Sequence, residues 1–238
     1  MYIDFHTHII PGIDDGAKDV EEAVSMLTLS EKCGAETVIL TPHVDASADY
    51  KEFVRVREEK VRVLKDALAH SGRLFPQLLL GAEVQLDDAL SEKDDISPLL
   101  IEGTDLLLIE LPYTPWNKWY NNEIYNIIAK HEVTPVMAHI ERYLSGPKDI
   151  EKLDSLISFG VKFQVNASSF LTFSGRRVIR ELAAQGLINA IGSDCHNLGK
   201  RSSDISKSLF AFEKKFGPEF LEYIYDKTLN LLEDNKLK

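Results

Sequence analysis

The sequence predicts an α/β fold, a barrel of seven parallel strands joined by helices. Short apolar runs alternate with longer amphipathic stretches along nearly the whole chain, which is the pattern of βα units around a parallel sheet. A chain of 238 residues suits one such barrel, and a 44% share of apolar residues is sufficient for its core. No linker or low-complexity tract interrupts the pattern, so we expect residues 1–238 to form one domain.

Seven runs have the length of strands, and several are rich in β-branched residues. They lack a regular polar alternation, as expected for parallel strands that are covered on both faces. The predicted strands are residues 2–8, 36–43, 78–84, 105–111, 134–140, 162–168 and 188–194.

Between the strands, apolar residues recur at three- and four-residue steps, which predicts helices. Gly34, Gly160 and Gly186 each follow such a stretch, at the usual C-terminal capping position. The last predicted helix either caps the barrel or meets another subunit. The predicted helices are residues 18–33, 50–70, 121–131, 148–159, 175–185, 203–215 and 217–233.

Composition excludes several classes of function. A formal charge of −11 disfavours a nucleic-acid partner, because no basic face offsets it. No apolar run approaches 18 residues, so we expect no membrane span. The N-terminus lacks a basic region and a cleavage site, so we expect no signal peptide. Cys33 and Cys195 lie far apart in sequence and suggest no disulfide, which favours a cytoplasmic location.

Side chains that bind metals stand at the ends of all but one predicted strand. Because the carboxyl ends of barrel strands meet at one mouth, these side chains should converge there. Each has an ordinary structural interpretation alone, but buried together the carboxylates would repel one another unless cations compensated them. These residues are His6, His8, His43, Glu83, Glu110, His139, Asp194 and His196, and only the strand ending near Asn166 lacks one.

A competing chemistry begins from Cys195 and Arg201, which match the C-x5-R spacing of cysteine phosphatases. Strand alternation directs Asp194 and His196 to one face and turns Cys195 to the other, where a buried thiol is inert. The intervening HNLGK offers a single glycine for a phosphate-binding loop. We therefore favour metal chemistry, with Arg201 still available to hold phosphate. The remaining histidines, at positions 70 and 131, end predicted helices and are interpreted as structural.

These motifs together resemble a known family. HTHIIPGIDDGA, TPH, GAEV, LLLIELP, MAHIER and SDCHN, in this order from residue 2 to about 201, resemble the polymerase and histidinol phosphatase (PHP) superfamily. They are most similar to its bacterial manganese-dependent tyrosine-protein phosphatases of the CpsB/CapC type, for which PGIDDGA and AHIER are specific. The resemblance implies a distorted (β/α)7 TIM-like barrel of the PHP type that holds three metal ions.

The resemblance also implies roles for individual residues. The first ion would take His6, His8, Glu83 and Asp194, the second Glu83, Glu110 and His139, and the third Asp15, His43 and His196. Asp14 remains an alternative or additional ligand beside Asp15. Arg142 and Arg201 take the places of two arginines of the family. Cys195 departs from the family, whose members often have methionine or another apolar residue there.

Nitrogen and oxygen donors suit Mn²⁺, Fe²⁺ or Zn²⁺, and the family favours Mn²⁺. Such ions would lower the pKa of a bound water from 15.7 to roughly 7, so that hydroxide attacks phosphorus, while Arg142 and Arg201 stabilise the developing charge. The implied substrate is phosphotyrosine on a protein, in particular the tail of a capsule- or exopolysaccharide-associated tyrosine kinase.

Three rival functions remain open from the sequence. A PHP-type phosphatase of a small metabolite such as histidinol phosphate would share the chemistry but not the pocket. An amidohydrolase would often carry a carboxylated lysine where this chain has Glu110. A silent metal-binding scaffold would lack a ligand, and none is missing.

Residues 112–120 are rich in aromatic and proline residues and follow the fourth predicted strand. Two interpretations are equally open: the aromatic side chains form a rim that accepts a phosphotyrosine ring, or they only pack the loop onto the barrel. The side chains concerned are Tyr113, Trp116, Trp119 and Tyr120.

Overall fold

The computed structural model describes residues 1–237, and within them every paired strand runs parallel to its neighbour. Parallel pairing requires a crossover between consecutive strands, and amphipathic helices provide most of these crossovers. The strands are β1 (Tyr2–Thr7), β2 (Ala35–Leu40), β3 (His43–Asp45), β4 (Gln77–Leu80), β5 (Glu83–Gln85), β6 (Leu106–Glu110), β7 (Thr134–Met137), β8 (Lys162–Asn166) and β9 (Ala190–Gly192).

The strands close into a ring of seven. β2 with β3, and β4 with β5, are the two halves of strands predicted as continuous. The order of pairing runs from β1 to β2 and β4 in one sheet, and from β3 through β5, β6, β7 and β8 to β9 in the other. A parallel bridge from Thr7 to Cys195 joins the first strand to the segment after the last. The predicted fold class, a distorted (β/α)7 barrel, is confirmed.

The breaks in the two divided strands have local causes. Pro42 lies in the first break and has no N–H to donate to a sheet. In the second break, the buried guanidinium of Arg57 donates a 2.7 Å hydrogen bond to the carbonyl of Gly81. This carbonyl is therefore satisfied by a side chain from the neighbouring helix instead of by a strand.

Most helices agree with their predicted ranges, and the predicted C-terminal glycines adopt the left-handed backbone, with φ of 88° at Gly34, 84° at Gly160 and 66° at Gly186. The predicted helix 148–159 is wrong in type over its first part, which is a 3₁₀ helix that begins at Pro147. The helices are α1 (Val20–Lys32), α2 (Tyr50–His70), α3 (Lys118–His131), α4 (Asp154–Ser158), α5 (Phe173–Ala184), α6 (Ser206–Phe216) and α7 (Glu219–Asp234).

Two apolar layers hold the barrel together. The larger lies between strands and helices, and the smaller fills the barrel with side chains such as Phe5 and Leu108. Leu231 and Leu232 of α7 belong to this inner layer, so the last helix caps the barrel. It does so at the end opposite the strand carboxyl termini, because Asn235 accepts a hydrogen bond from the amide of Asp105, just before β6. Within residues 1–237, no helix combines the length and apolarity needed to cross a membrane.

Truncation of the inner layer tests this packing. Leu108→Ala should lower the free energy of unfolding by about 2–5 kcal/mol, because the fully buried side chain leaves a cavity. Leu74→Ala is the matched control, since Leu74 is 92% exposed and its loss should change stability by less than ~0.5 kcal/mol. Urea unfolding followed by circular dichroism measures both, and equal losses would contradict the assignment of the inner core.

Candidate metal centre

The barrel mouth brings the predicted ligands together. Side chains converge on the same point from β1 and the loop after it, from the outer strand halves β3 and β5, from the end of β6, and from the segments after β7 and β9. His43 and Glu83, predicted to end their strands, instead begin the outer halves β3 and β5, where they pair in register. Donor atoms within each of four groups lie within 4.8 Å of one another. The groups are His8, Asp15, His43 and His196; His6, His8 and Asp194; His6, Glu83 and His139; and His43, Glu83 and Glu110.

Glu83 lies at the centre of these groups and is 1% exposed. Its Oε2 is 3.0 Å from Nε2 of His6 and 3.2 Å from Nε2 of His8, and its Oε1 is 3.0 Å from Nε2 of His139. His43 Nδ1 is also 3.0 Å from Oε2. The two oxygens of the Glu83 carboxylate therefore face different sets of imidazole nitrogens.

Unsatisfied polar atoms indicate what the cluster can hold. Among residues 1–237, neither Oε2 of Glu83 nor Nε2 of His196 has a partner with hydrogen-bond geometry, although both atoms are buried. His196 Nε2 lies 3.2 Å from Oδ1 of Asp15. Buried polar atoms normally have partners, and nitrogen and oxygen atoms that converge without hydrogen bonding fit a shared divalent cation. The residues present therefore fit the implied metal centre.

Asp14 has a different position from Asp15. Asp14 Oδ2 accepts hydrogen bonds from Nδ1 of His8 at 2.8 Å and from the amide of His43 at 3.0 Å, and Asp14 belongs to none of the four groups. It therefore orients His8 so that Nε2 faces the cluster. Gly16 makes this loop possible, because a Cβ there would lie 2.1 Å from the carbonyl oxygen of His8.

The charges of the cluster depend on one another. Burial would raise the pKa of Asp14, but the hydrogen bond and charge of His8 outweigh it and lower the pKa to about 2. Burial would lower the pKa of His8, but Asp14 and Glu83 together raise it to about 10. For Glu83, burial opposes ionisation, yet the surrounding imidazoles hold its pKa well below its usual range. The carboxylates therefore stay ionised and require positive charge beside them.

Arg142 and Arg201 stand at the rim of the centre and contact the same carboxylate. Arg142 donates to Oδ2 of Asp194 at 2.6 Å, and Arg201 donates to Oδ1 at 2.7 Å. Both arginine side chains remain partly exposed, at 30% and 39%. Asp194 and His139 also have left-handed backbones, with φ of 52° and 32°, which is an unfavourable conformation that concentrates at functional sites.

Cys195 faces away from the centre, as the alternation of strand residues predicts. It is fully buried and packs in the layer between strands and helices. Burial raises the pKa of its thiol, and the charge of Asp4 raises it further. The predicted burial of Cys195 is therefore confirmed. A thiol in this environment is a poor nucleophile.

The aromatic segment 112–120 divides into two parts. Tyr113 is 66% exposed, its ring lies 6.5 Å from the ring of His139, and its hydroxyl accepts a hydrogen bond from Arg142 at 3.0 Å. Trp119 and Tyr120 were predicted in a loop but lie in the first turn of α3, where their rings pack edge to face at 4.6 Å. A cavity of about 410 Å³ is lined by Tyr113, Thr114, Pro115, Trp116, Arg142, Tyr143, Leu144, Ser145 and Lys152.

His70 and His131, interpreted as structural, end helices α2 and α3. The strand β8 lies within the predicted strand 162–168, but its polar side chains were not predicted to take part in the site, since the sequence showed only that a metal ligand was absent there. Gln164 and Asn166 of this strand are fully buried and bind predicted ligands by hydrogen bonds. Their signal was present as a Q-x-N pair, whose spacing places both side chains on one face of a strand.

Comparison with known proteins agrees with this geometry. The chain is 28% identical over 238 residues to the tyrosine-protein phosphatase YwqE of Bacillus subtilis, which covers 98% of this chain and 92% of that protein. It is 27% identical to the putative tyrosine-protein phosphatase CapC of Staphylococcus aureus, over 99% of this chain and 90% of that protein.

A solved structure also matches, with a TM-score of 0.82 and 26% identity over 99% of this chain and 96% of the other. It comes from work on YwqE of Bacillus subtilis and CpsB of Streptococcus pneumoniae, described as unique metal-dependent tyrosine phosphatases. The family model for capsular polysaccharide synthesis proteins, CpsB/CapC, matches residues 2–232. Because that match spans nearly the whole sequence, the chain belongs to the CpsB/CapC family.

Proposed function

We propose that the protein is a metal-dependent phosphatase that hydrolyses phosphotyrosine on proteins. The observation that carries the proposal is the set of converging nitrogen and oxygen donors around Glu83, with two guanidinium groups at its rim. Membership of the CpsB/CapC family supports the substrate class, since relatives of this chain are named tyrosine-protein phosphatases.

We infer that nine side chains hold divalent cations. We propose Mn²⁺ as the metal, with Fe²⁺ or Zn²⁺ as alternatives. Bound cations would supply Lewis acidity, lowering the pKa of water and offsetting phosphate charge. As the resemblance to the family implies, these side chains would be divided among three ions and Glu83 would be shared. The proposed ligands are His6, His8, Asp15, His43, Glu83, Glu110, His139, Asp194 and His196.

Arg142 and Arg201 would bind the non-bridging phosphate oxygens and stabilise the charge that develops on them. Each arginine is partly exposed and uses one nitrogen to bind Asp194, so other N–H groups of the guanidinium are available to phosphate at the mouth. No protein nucleophile is required. Cys195 does not provide one, because burial raises the pKa of its thiol and disfavours the thiolate. The phenolate of tyrosine, with a pKa near 10, leaves with less proton assistance than an alkoxide requires.

The tyrosine ring of the substrate would enter the cavity beside the centre. Tyr113 and Tyr143 provide aromatic walls next to His139, with their rings 5.8 Å apart, and Arg142 connects the cavity to the phosphate position. This arrangement supports an aromatic rim that contains Tyr113 and Trp116 of the four predicted side chains, since Trp119 and the buried Tyr120 do not line the cavity. A tyrosine-rich segment of a capsule-associated kinase has the chemistry to enter it, and it is our proposed physiological partner.

A substrate panel tests the proposed function. The purified protein with Mn²⁺ should hydrolyse phosphotyrosine peptides with a higher kcat/KM than histidinol phosphate or sugar phosphates, because only phosphotyrosine carries its phosphate directly on an aromatic ring that can contact the cavity walls. Phosphate release measures each rate. A preference for histidinol phosphate would replace this proposal with that of a small-metabolite phosphatase.

Removal of the metal separates the two competing chemistries. EDTA should abolish hydrolysis of a phosphotyrosine peptide and Mn²⁺ should restore it, whereas Cys195→Ala should keep its activity because the thiol does not reach the centre. The same peptide assay measures both effects. Full activity in EDTA together with an inactive Cys195→Ala variant of unchanged stability would establish thiolate chemistry instead.

A matched pair of tryptophans tests the aromatic cavity. Trp116→Ala should raise KM for a phosphotyrosine peptide by up to roughly tenfold, the value of one aromatic contact of about 1.4 kcal/mol. Trp119→Ala is the control, since it packs on Tyr120 and does not line the cavity; it should lower Tm without changing KM. If both variants change Tm alone, the segment serves packing and the rim is rejected.

A further inference from the structure

We propose that Gln164 and Asn166 of β8 form an amide relay that positions the ligands His6 and Asp194 for metal binding. The inference rests on the proposed metal centre and assigns a role to the one strand of the barrel that contributes no ligand to it. Gln164 and Asn166 are both fully buried, and their i, i+2 spacing directs both side chains to the same face of β8.

The donor and the acceptor of every hydrogen bond in the relay can be assigned from the groups at its two ends, a backbone N–H and a carboxylate. The backbone N–H of His139 can only donate, and it lies 2.7 Å from Oε1 of Gln164, so this atom is the amide oxygen. Nε2 of Gln164 then donates to Oδ1 of Asn166 at 3.0 Å. At the other end, Nδ2 of Asn166 donates to Oδ2 of Asp194 at 2.7 Å. The chain therefore runs in one direction, from a backbone donor to a carboxylate.

This direction determines the tautomer of His6. Nδ1 of His6 lies 3.3 Å from Oε1 of Gln164, an atom that can only accept. The proton of a neutral His6 must therefore be on Nδ1, which leaves the lone pair of Nε2 directed toward Glu83 and His8. Gln164 thus does for His6 what Asp14 does for His8, but as a neutral group it adds no negative charge to a crowded centre.

The surrounding structure holds the relay in place. Gly192 of β9 admits the amide of Gln164, because a Cβ at this position would lie 2.7 Å from its Nε2 and 2.7 Å from Cβ of His6. Glu141, from the AHIER motif, is buried, and its carboxylate accepts hydrogen bonds from the backbone N–H of Asn166 at 3.3 Å and from the hydroxyl of Ser169 at 2.6 Å. Relay, neighbouring strand and motif therefore form one buried polar network.

Isothermal titration of the metal-free protein with Mn²⁺ tests the relay without an activity assay. Gln164→Leu should weaken Mn²⁺ affinity about 10- to 100-fold, as loss of an orienting partner does in other metal sites. Gln164→Glu keeps an acceptor for His6 and should bind Mn²⁺ more tightly than Gln164→Leu. Asn166→Ala tests the Asp194 end independently, and it decides the inference if Gln164→Leu does not fold.

Asn189→Ala is the matched control. Its amide accepts a hydrogen bond from the backbone of Phe163 at 2.9 Å, at the opposite end of β8. It should lower the Tm of the metal-free protein but leave Mn²⁺ affinity unchanged. Wild-type affinity in folded Gln164→Leu and Asn166→Ala variants would overturn the relay. If the wild-type protein itself binds no divalent cation, the metal centre is rejected and the relay with it.

Discussion

The buried carboxylate of Glu83 requires positive charge beside it, and the rest of the barrel mouth is arranged to provide that charge. A carboxylate that is 1% exposed has lost its hydration, and this costs several kcal/mol unless nearby positive charge compensates it. Here the compensation is a shell of imidazole nitrogens about 3 Å away. A cluster of this composition is stable with protons on the imidazoles or with divalent cations between the donors, and the second state explains the buried atoms that lack hydrogen bonds.

The backbone departs from regular strand geometry at the residues of the mouth that surround Glu83. Two strands break just before His43 and Glu83, and both residues begin outer strand halves, β3 and β5, that pair with each other at the mouth. His139 and Asp194 take left-handed backbone conformations, which few residues other than glycine adopt. The regular part of the barrel, filled by its inner apolar layer, provides the rigid support that maintains these conformations.

Orienting groups complete the centre from a second layer. Asp14 fixes His8 and the proposed relay fixes His6, so the histidine in β1 and the histidine just after it each have an orienting partner of their own. Arg142 and Arg201 likewise hold the two oxygens of Asp194. A phosphate bound at the mouth would meet the same two guanidinium groups. In the proposed function, the two arginines would therefore both hold Asp194 and bind the substrate phosphate.

The sequence by itself determined the barrel and the convergence of its ligands. Alternating apolar runs and strand-end histidines and carboxylates were sufficient for this, because strand ends of a parallel barrel must meet. The parity of neighbouring residues was sufficient to turn Cys195 away from the centre. That the nine side chains bind metal, and that they divide among three ions, remains a prediction.

Other features were not predicted, either because a local signal was obscured or because they depend on contacts between segments distant in sequence, which no local pattern encodes. The start of α3 at Lys118 depends on capping by Asn117, a local signal that the aromatic and proline residues of the segment obscured. Only the tertiary structure distinguished Asp14 from Asp15, because the two carboxylates are adjacent in sequence and differ only in what lies across the mouth. It also revealed Gln164 and Asn166, since an amide becomes functional through the donors and acceptors that folding places around it.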